Sequence, residues 1–167
     1  MSGPETIEES VRAVLDRLGT AYEVIPCDPA LADTAAFCAH YGVSPSESAN
    51  TILVASRKEP KVYAACLALA TTKLDVNHKV SEVLGVRKLS FASPEETVAV
   101  TGMMIGGVTP FGLPYKVLFY VDSRIAMLDR VVVGGGSRSS KLRVPGEVFA
   151  RMPNARIVEG LAIDRQP

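Results

Sequence analysis

The chain has 167 residues, with 18 basic and 18 acidic side chains and a formal net charge of zero. This length suits one domain with a single hydrophobic core. The balanced charge argues against a general duplex-binding protein, which needs a basic face to neutralise phosphates, but it does not exclude a site that grips only the end of a nucleic acid. The first ten residues lack a basic segment followed by an apolar run, and no apolar stretch reaches the roughly 18 residues of a membrane span, so we expect no signal peptide and no span.

The first half of the chain shows apolar residues either at helical spacing or in short continuous runs. In chain order, these patterns predict a helix at 5–18, a strand at 21–26, a helix at 34–41 and strands at 49–56 and 62–69. Gly19 and Gly42 follow the two helices as stop signals, and Asp33 is a candidate N-cap for the second. The sequence between the last two strands, RKEPK, is typical of a hairpin loop.

The second half continues the mixture of helices and strands without a regular βαβ rhythm. In chain order, it predicts helices at 76–84 and 94–101, strands at 116–121, 130–133 and 141–144, and a helix at 146–152. Ser93 followed by Pro94 is a typical helix start. We therefore expect one α+β domain over residues 1–167, with a mixed sheet.

Three cysteines, Cys27, Cys38 and Cys66, are widely spaced and odd in number. Their spacing gives neither a C-x-x-C motif nor a metal-binding pattern. Unpaired thiols are typical of a reducing compartment, so we expect a cytoplasmic protein. His40 and His78 are isolated from any Ser or Cys motif, so a catalytic triad is not supported.

One segment, 101–114 (TGMMIGGVTPFGLP), has four glycines, two prolines and no charge. It is too glycine-rich for a helix, too broken by proline for a central strand, and too apolar for an ordinary solvated loop. It could simply turn the chain between a helix and a strand. Long connections in compact domains tend to be functional, however, and backbone N–H groups freed by glycines can form an oxyanion hole.

A second glycine-rich segment, 134–141 (GGGSRSSK), invites comparison with phosphate-binding loops. Ser139, Ser140 and Leu142 stand where the P-loop and dinucleotide motifs require other residues, so both motifs fail. The segment is either a bulge or hairpin corner, or a backbone that lets a ligand approach closely beside two basic side chains.

Basic residues also mark the predicted hairpin loop. Arg57, Lys58 and Lys61 would lie at its tip. The tip is either a solvated turn or a contact for phosphate groups.

The order of five segments resembles the YbaK/EbsC family, whose domain also forms the editing insertion of bacterial prolyl-tRNA synthetases. The segments are ADTAAFCAHYGVS, ANTILVAS, TKLDVNHKVSEVLGVRKLSFASPEE, TGMMIGGVTPFG and VVVGGGSRSSKLRV. The fourth is the most specific, because it contains the family's G-x-x-x-P motif as Gly106 to Pro110. The resemblance covers about 20–164.

The resemblance implies an α+β fold with a mixed, partly barrel-like sheet surrounded by helices. It implies a deacylase that hydrolyses the ester of a mischarged tRNA carrying a small amino acid, such as alanine or cysteine on proline tRNA. The enzyme would need no metal or other cofactor, and it could act with an aminoacyl-tRNA synthetase. Water, the backbone of the G-x-x-x-P loop and the substrate's own ribose hydroxyl would carry the reaction. The loop glycines would then let bare backbone touch the ester.

By the same resemblance, Gly106 and Asn50 are the candidate catalytic residues. The candidate substrate-binding residues lie mainly in the two glycine-rich segments: Thr51, Lys73, Gly107, Val108, Thr109, Pro110, Phe111, Gly134, Gly135 and Gly136.

The chain departs from the family at Asn50, where editing members carry lysine, and at Gly134, where serine is common. Asparagine keeps hydrogen bonding but brings no charge, so it cannot replace a charge-assisted contact worth about 1.5–3 kcal/mol. Three interpretations stay open. Hydrolysis could persist with a shifted substrate, a cation among Lys73, Arg138 and Lys141 could substitute, or the domain could bind an aminoacyl-tRNA end, nucleotide or small acid without hydrolysis.

Overall fold

A computed structural model of the chain describes residues 6–165. The helices are α1 (Ile7–Leu18), α2 (Thr34–Tyr41), α3 (Ser81–Leu84, preceded by a π-helical turn at Val76–Val80), α4 (Pro94–Thr101), α5 (Ser123–Ala126) and α6 (Val148–Arg151). The strands are β1 (Glu23–Pro26), β2 (Ala49–Ser56), β3 (Tyr63–Leu69), β4 (Thr72–Leu74), β5 (Leu89–Phe91), β6 (Leu118–Asp122), β7 (Val131–Gly134), β8 (Ser140–Val144), β9 (Ala155–Val158) and β10 (Ala162–Asp164).

The described strands form three sheets, and none of these sheets closes into a barrel. The largest has five strands in the order β5-β2-β3-β6-β9, with β2 antiparallel to β3 and β5, and β6 parallel to β3 and β9. A second, antiparallel sheet has the order β1-β8-β7, and β4 pairs with β10. A parallel bridge between Ser48 and Val132 links the first two sheets at the start of β2. The predicted α+β fold with a mixed sheet is confirmed.

The main core lies between the five-stranded sheet, the three-stranded sheet and α1. Leu15 of α1, Leu67 of β3 and Val133 of β7 are buried in it. Phe111, in the loop after α4, stacks on Phe149 of α6 with ring centroids 5.7 Å apart. The long loop is therefore anchored in the core by an aromatic side chain.

A smaller core lies beneath α2. Phe37 and Cys38 pack there with Ala32 and with Val132 of β7. This packing fixes α2 beside the junction of the two larger sheets.

Local signals in the sequence explain most helix boundaries. Thr6 and Glu9 form a reciprocal capping box at the start of α1, and Gly19 ends that helix in the left-handed region at φ 65°. Residue 5, where the predicted first helix began, lies outside the described residues. Asp33 precedes α2 as predicted, but its side chain makes no capping hydrogen bond.

Candidate functional site

The two glycine-rich segments pack against each other backbone to backbone. The amide of Gly136 donates to the carbonyl of Gly107 at 2.8 Å. A Cβ atom on Gly134 would lie 2.1 Å from the carbonyl oxygen of Val108, and one on Gly107 would lie 2.5 Å from the carbonyl carbon of Ser137. No side chain fits at such distances, so these glycines are needed to bring the two loops together.

Gly106 has a different reason to be glycine. Its φ of +93° lies in the region that L side chains rarely adopt, and an added Cβ would lie 2.2 Å from Nη1 of Arg138. The Arg138 guanidinium donates to the carbonyl of Ile105 at 2.7 Å, to the carboxylate of Asp33 at 3.1 Å and to the carbonyl of Pro29 at 3.1 Å. Arg138 thus links the first glycine-rich segment, through Ile105, to the segment that leads into α2.

A cavity of about 430 Å³ lies between the two loops, α2 and the first half of β2. This volume is within the usual range of small-molecule sites, toward its lower end. Its polar lining comes from Asp33, Thr34, Ser48, Asn50, Thr51, Thr97 and Lys141, and its apolar lining includes Phe37, Leu53, Val108, Val132 and Val133. Two further lining side chains, Phe91 and Ile105, are 56% and 48% exposed, so they mark the mouth of the cavity.

Two polar residues of β2, Asn50 and Thr51, line this cavity. The side-chain oxygen of Asn50 accepts a hydrogen bond from the Thr34 hydroxyl. The hydroxyl oxygen of Thr51 is buried and has no hydrogen-bond partner among the described residues. Leaving a buried hydroxyl without a partner costs about 1–3 kcal/mol.

Lys141, on β8, brings a cation to the cavity. Only 7% of this residue is exposed. Its ammonium donates to the carbonyl oxygen of Gly106 at 2.7 Å and lies 5.5 Å from the ring centroid of Phe37. Burial lowers the pKa of Lys141; the Cys27 thiol acts in the opposite direction, and the charge of Arg138 lowers the pKa further.

The structure brings together five of the residues that the sequence singled out. Asn50, Thr51, Gly106, Val108 and Gly134 all line the cavity. Six others are buried behind this surface as part of the two packed loops: Gly107, Thr109, Pro110, Phe111, Gly135 and Gly136.

The three cations weighed from the sequence lie in different surroundings. Lys141 lines the cavity, whereas the Arg138 guanidinium is hydrogen-bonded to Asp33 and Ile105 beside it. Lys73 does not line the cavity; it is exposed on β4, opposite Ile163 of β10.

Sequence reasoning missed several cavity residues. Thr34 and Phe37 belong to α2, and Phe91 lies at the end of the short strand β5. Thr34 and Asn50 are 16 positions apart, and only the packing of α2 against β2 brings them into contact. Neither periodicity nor a motif carries that information.

Neither histidine lines the cavity, and all three cysteines are unpaired and buried. Burial raises the pKa of Cys66 to about 12. Within residues 6–165, no cluster of three or more His, Cys, Asp and Glu side chains is placed to hold a metal ion. No helix in that range is long and apolar enough to cross a membrane.

A basic surface lies at the end of the sheet near the hairpin loop. It consists of Arg57, Lys58, Lys61, Arg87 and Lys88, all exposed, and we call it the basic edge surface. The Arg57 amide donates to the Lys88 carbonyl at 2.9 Å, which joins the hairpin tip to the segment before β5. Among the described residues, none of the five forms a salt bridge with a carboxylate.

Strand β5 connects this surface to the cavity. Lys88 immediately precedes the strand, and Phe91 at its other end marks the cavity mouth. Three residues of extended chain span about 10 Å. The basic edge surface therefore begins a short distance from the mouth.

Comparisons with known proteins agree with this architecture. The fold is similar to that of the hypothetical protein APE2540, with a TM-score of 0.81, 24% identity, and coverage of 92% of this chain and 99% of that one. It is also similar to a candidate trans-editing enzyme for prolyl tRNA synthetase, with a TM-score of 0.76, 20% identity, and coverage of 99% and 100%. At these identities, the two structures show the fold alone, and that fold is the one expected from the YbaK/EbsC resemblance.

The family assignment comes from the sequence. The sequence model of the aminoacyl-tRNA editing domain family matches residues 28–152, and the chain belongs to this family. A curated relative, the uncharacterized protein YwhH of Bacillus subtilis (strain 168), is 33% identical over 103 residues. The match covers 62% of this chain and 63% of that relative's length.

Proposed function

We propose that this protein is a cytoplasmic deacylase that hydrolyses the ester bond of a mischarged tRNA carrying a small amino acid. The observation that carries the proposal is the cavity itself, in which the Gly106 loop meets Asn50 and Thr51 of β2. The cavity is small and combines hydrogen-bonding groups with an apolar wall. That combination suits a nucleoside end that bears a short side chain.

In the proposed reaction, the oxygen of a water molecule attacks the ester carbonyl carbon. The bond from this carbon to the ribose oxygen then breaks, the ribose oxygen takes up a proton, and the amino acid leaves with the new carboxyl group. Asn50 and Gly106 are the candidate catalytic residues. Because the Asn50 side-chain oxygen already accepts from Thr34, its amide nitrogen is the group available to orient the substrate or the water.

Size selection would come from the apolar part of the lining. Phe37 and Val132 belong to the packed core beneath α2, and Val133 to the main core, so they cannot move aside easily. A rigid apolar pocket distinguishes one methylene by about 1–3 kcal/mol. We therefore expect faster deacylation of alanyl esters than of esters with larger branched side chains.

The proposed partner is the acceptor end of the tRNA, bound directly or with the help of a synthetase. The basic edge surface supports this, because its cations form no salt bridge among the described residues and its Lys88 lies about 10 Å along β5 from Phe91 at the cavity mouth. Three nucleotides of a stacked strand rise by about 10 Å, so one RNA strand could touch both places. The zero net charge fits a protein that touches only this part of the RNA.

A second candidate function is ligand binding without hydrolysis. Asn50 favours it, because the family lysine at this position is absent. Such a domain would bind an aminoacyl-tRNA end, a nucleotide or a small acid in the same cavity.

Deacylation of a panel of charged tRNAs separates the two candidates. Proline tRNA charged with alanine, cysteine or serine would be incubated with the purified protein, with correctly charged prolyl-tRNA as the matched control. Hydrolysis of one mischarged species well above its spontaneous rate supports the deacylase. Thermal stabilisation by an amide-linked alanyl-adenosine, together with no hydrolysis of any species, would favour the binding domain.

A further inference from the structure

We infer that Lys141 is the catalytic cation of this cavity and that it stabilises the negative charge that forms on the ester carbonyl oxygen. This inference rests on the proposed deacylase function. It places the charge that is missing at position 50 on a different strand, β8, in the second glycine-rich segment.

The first support is the environment of the ammonium group. Lysine is almost never fully buried unless it is paired, because removing its charge from water is costly. Lys141 is 7% exposed, yet among the described residues it forms no salt bridge. The nearby carboxylate of Asp33 is instead engaged by Arg138. The Lys141 ammonium is thus a desolvated cation with no described carboxylate at salt-bridge distance, and an anion arising in the cavity would provide a direct partner.

The second support is the number of donors. A lysine ammonium has three N–H groups. One donates to the carbonyl oxygen of Gly106 at 2.7 Å, and the ring of Phe37 lies 5.5 Å away. No further hydrogen bond from the Lys141 ammonium is found among the described residues, and Lys141 lines the cavity. Donors are therefore left for a bound group.

The third support is rigidity. β8 is the middle strand of its sheet, and Lys141 is paired with Gly134 on one side and with Ile25 on the other. A donor held in place before reaction needs little reorganisation when charge develops, which is the requirement for oxyanion stabilisation. The ammonium donates to the Gly106 carbonyl, so the cation lies directly beside the G-x-x-x-P loop.

The chemistry assigned to Lys141 is electrostatic. When water attacks the ester carbon, the electron pair of the C=O double bond moves onto the carbonyl oxygen. That oxygen carries a negative charge until the C–O bond to the ribose breaks and the double bond reforms. Lys141 stabilises this oxyanion, and its own proton is not transferred. A phosphate at the tRNA end would also be attracted by Lys141. The charge of that phosphate is the same before and after the reaction, so such a contact would affect binding and not the rate.

The test compares Lys141→Met, which keeps an unbranched apolar chain, with Lys141→Arg, which keeps a charge. Single-turnover deacylation of the best substrate of the wild type would be measured over a range of protein concentrations. We expect Lys141→Met to lower the maximal rate by about 10²–10³-fold with little change in the half-saturating concentration. A weaker half-saturation with an unchanged maximal rate would overturn the inference, because it would indicate a phosphate contact instead.

A second measurement does not depend on turnover. If Lys141 is kept for catalysis, replacing its buried ammonium by methionine should leave the thermal unfolding midpoint unchanged or raise it. A clearly lower midpoint that Lys141→Arg restores would overturn the inference, because it would show a role in holding the Gly106 loop. Absence of deacylation by the wild type would defeat the proposed function, whereas wild-type activity that survives in Lys141→Met would defeat only this inference.

Discussion

The hydroxyl of Thr34 donates a hydrogen bond to the side-chain oxygen of Asn50, which ties the first turn of α2 to β2 at the cavity. A lysine at position 50 could not accept this bond, because its ammonium is only a donor. The same cavity is lined by an uncharged residue on β2, Asn50, and by a cation on β8, Lys141. This pairing leads to the first prediction.

Introducing the family lysine should not improve this protein. In Asn50→Lys, two ammonium groups would share one desolvated cavity, and the bond from Thr34 would be lost. We expect a lower unfolding midpoint and deacylation no faster than that of the wild type. Thr34→Val is the matched control, because it removes the same hydrogen bond without adding charge. Faster turnover by Asn50→Lys would show that the site lacks a charge after all.

The packing of the two glycine loops can be tested by stability. In Gly134→Ala, the new Cβ would lie 2.1 Å from the Val108 carbonyl oxygen, so the loops must separate. Overpacking of this kind costs about 1–3 kcal/mol, and we expect urea unfolding to show a loss of that size. Gly112→Ala is the control, since its Cβ would meet its nearest neighbour at an ordinary 3.4 Å. Equal effects of the two substitutions would contradict the loop-packing account.

The basic edge surface should contribute to binding and not to chemistry. In the double variant Lys58→Gln/Arg87→Gln, we expect weaker half-saturation with tRNA and an unchanged maximal rate. The dependence of log affinity on log salt should become shallower by about 1–2, as expected for two lost phosphate contacts.

A matched control for that surface is Arg12→Gln/Arg17→Gln, which removes two charges from α1. It should leave the salt dependence unchanged. Hydrolysis of a minimal aminoacyl-adenosine substrate should be the same in both double variants and the wild type. If Lys58→Gln/Arg87→Gln also slowed hydrolysis of the minimal substrate, the basic edge surface would not act as a contact for the phosphate backbone of the RNA.

The lowered pKa of Lys141 predicts a particular pH dependence of stability. Between this lowered value and about 10.4, the ordinary lysine pKa, the unfolded chain binds more protons than the folded chain. The stability of the wild type relative to Lys141→Met should therefore rise with pH across that window and be lowest below it. Urea midpoints of both proteins from about pH 7 to about pH 11 provide the measurement.

Other groups titrate in the same range, so the comparison with Lys141→Met is needed. The raised pKa of Cys66, about 12, lowers the stability of both proteins as pH rises above the ordinary thiol value. The groups that act on Lys141 are the thiols of Cys27 and Cys38, the Asp33 carboxylate and the Arg138 guanidinium. A relative stability that fell with rising pH would contradict a desolvated ammonium.

Local sequence signals were sufficient for the larger elements. The helices with capping residues and glycine stops, and the hairpin of β2 and β3, form where predicted. The strands β4, β5, β9 and β10 were not predicted. They have only three or four residues each, which is too short for a periodicity to emerge.

The site was predicted only in part, for a physical reason. The G-x-x-x-P loop matches the family motif, and Asn50 stands at the position of the family lysine, so their approach to one cavity could be expected. The sequence could not show which of the three candidate cations lines the cavity. That choice depends on which side chain the β1-β8-β7 sheet directs into the cavity. Lys141 is also the buried one of the three, and burial follows from tertiary packing.

Hydrolysis of a mischarged tRNA in this cavity, with help from Lys141, is the activity proposed for the protein. The most direct test is single-turnover deacylation of alanyl-tRNA specific for proline by the wild type and by Lys141→Met, under the same buffer and salt. We expect hydrolysis well above the spontaneous rate for the wild type and a rate about 10²–10³-fold lower for the variant. Equal rates for the two proteins, or no hydrolysis by the wild type, would contradict this expectation.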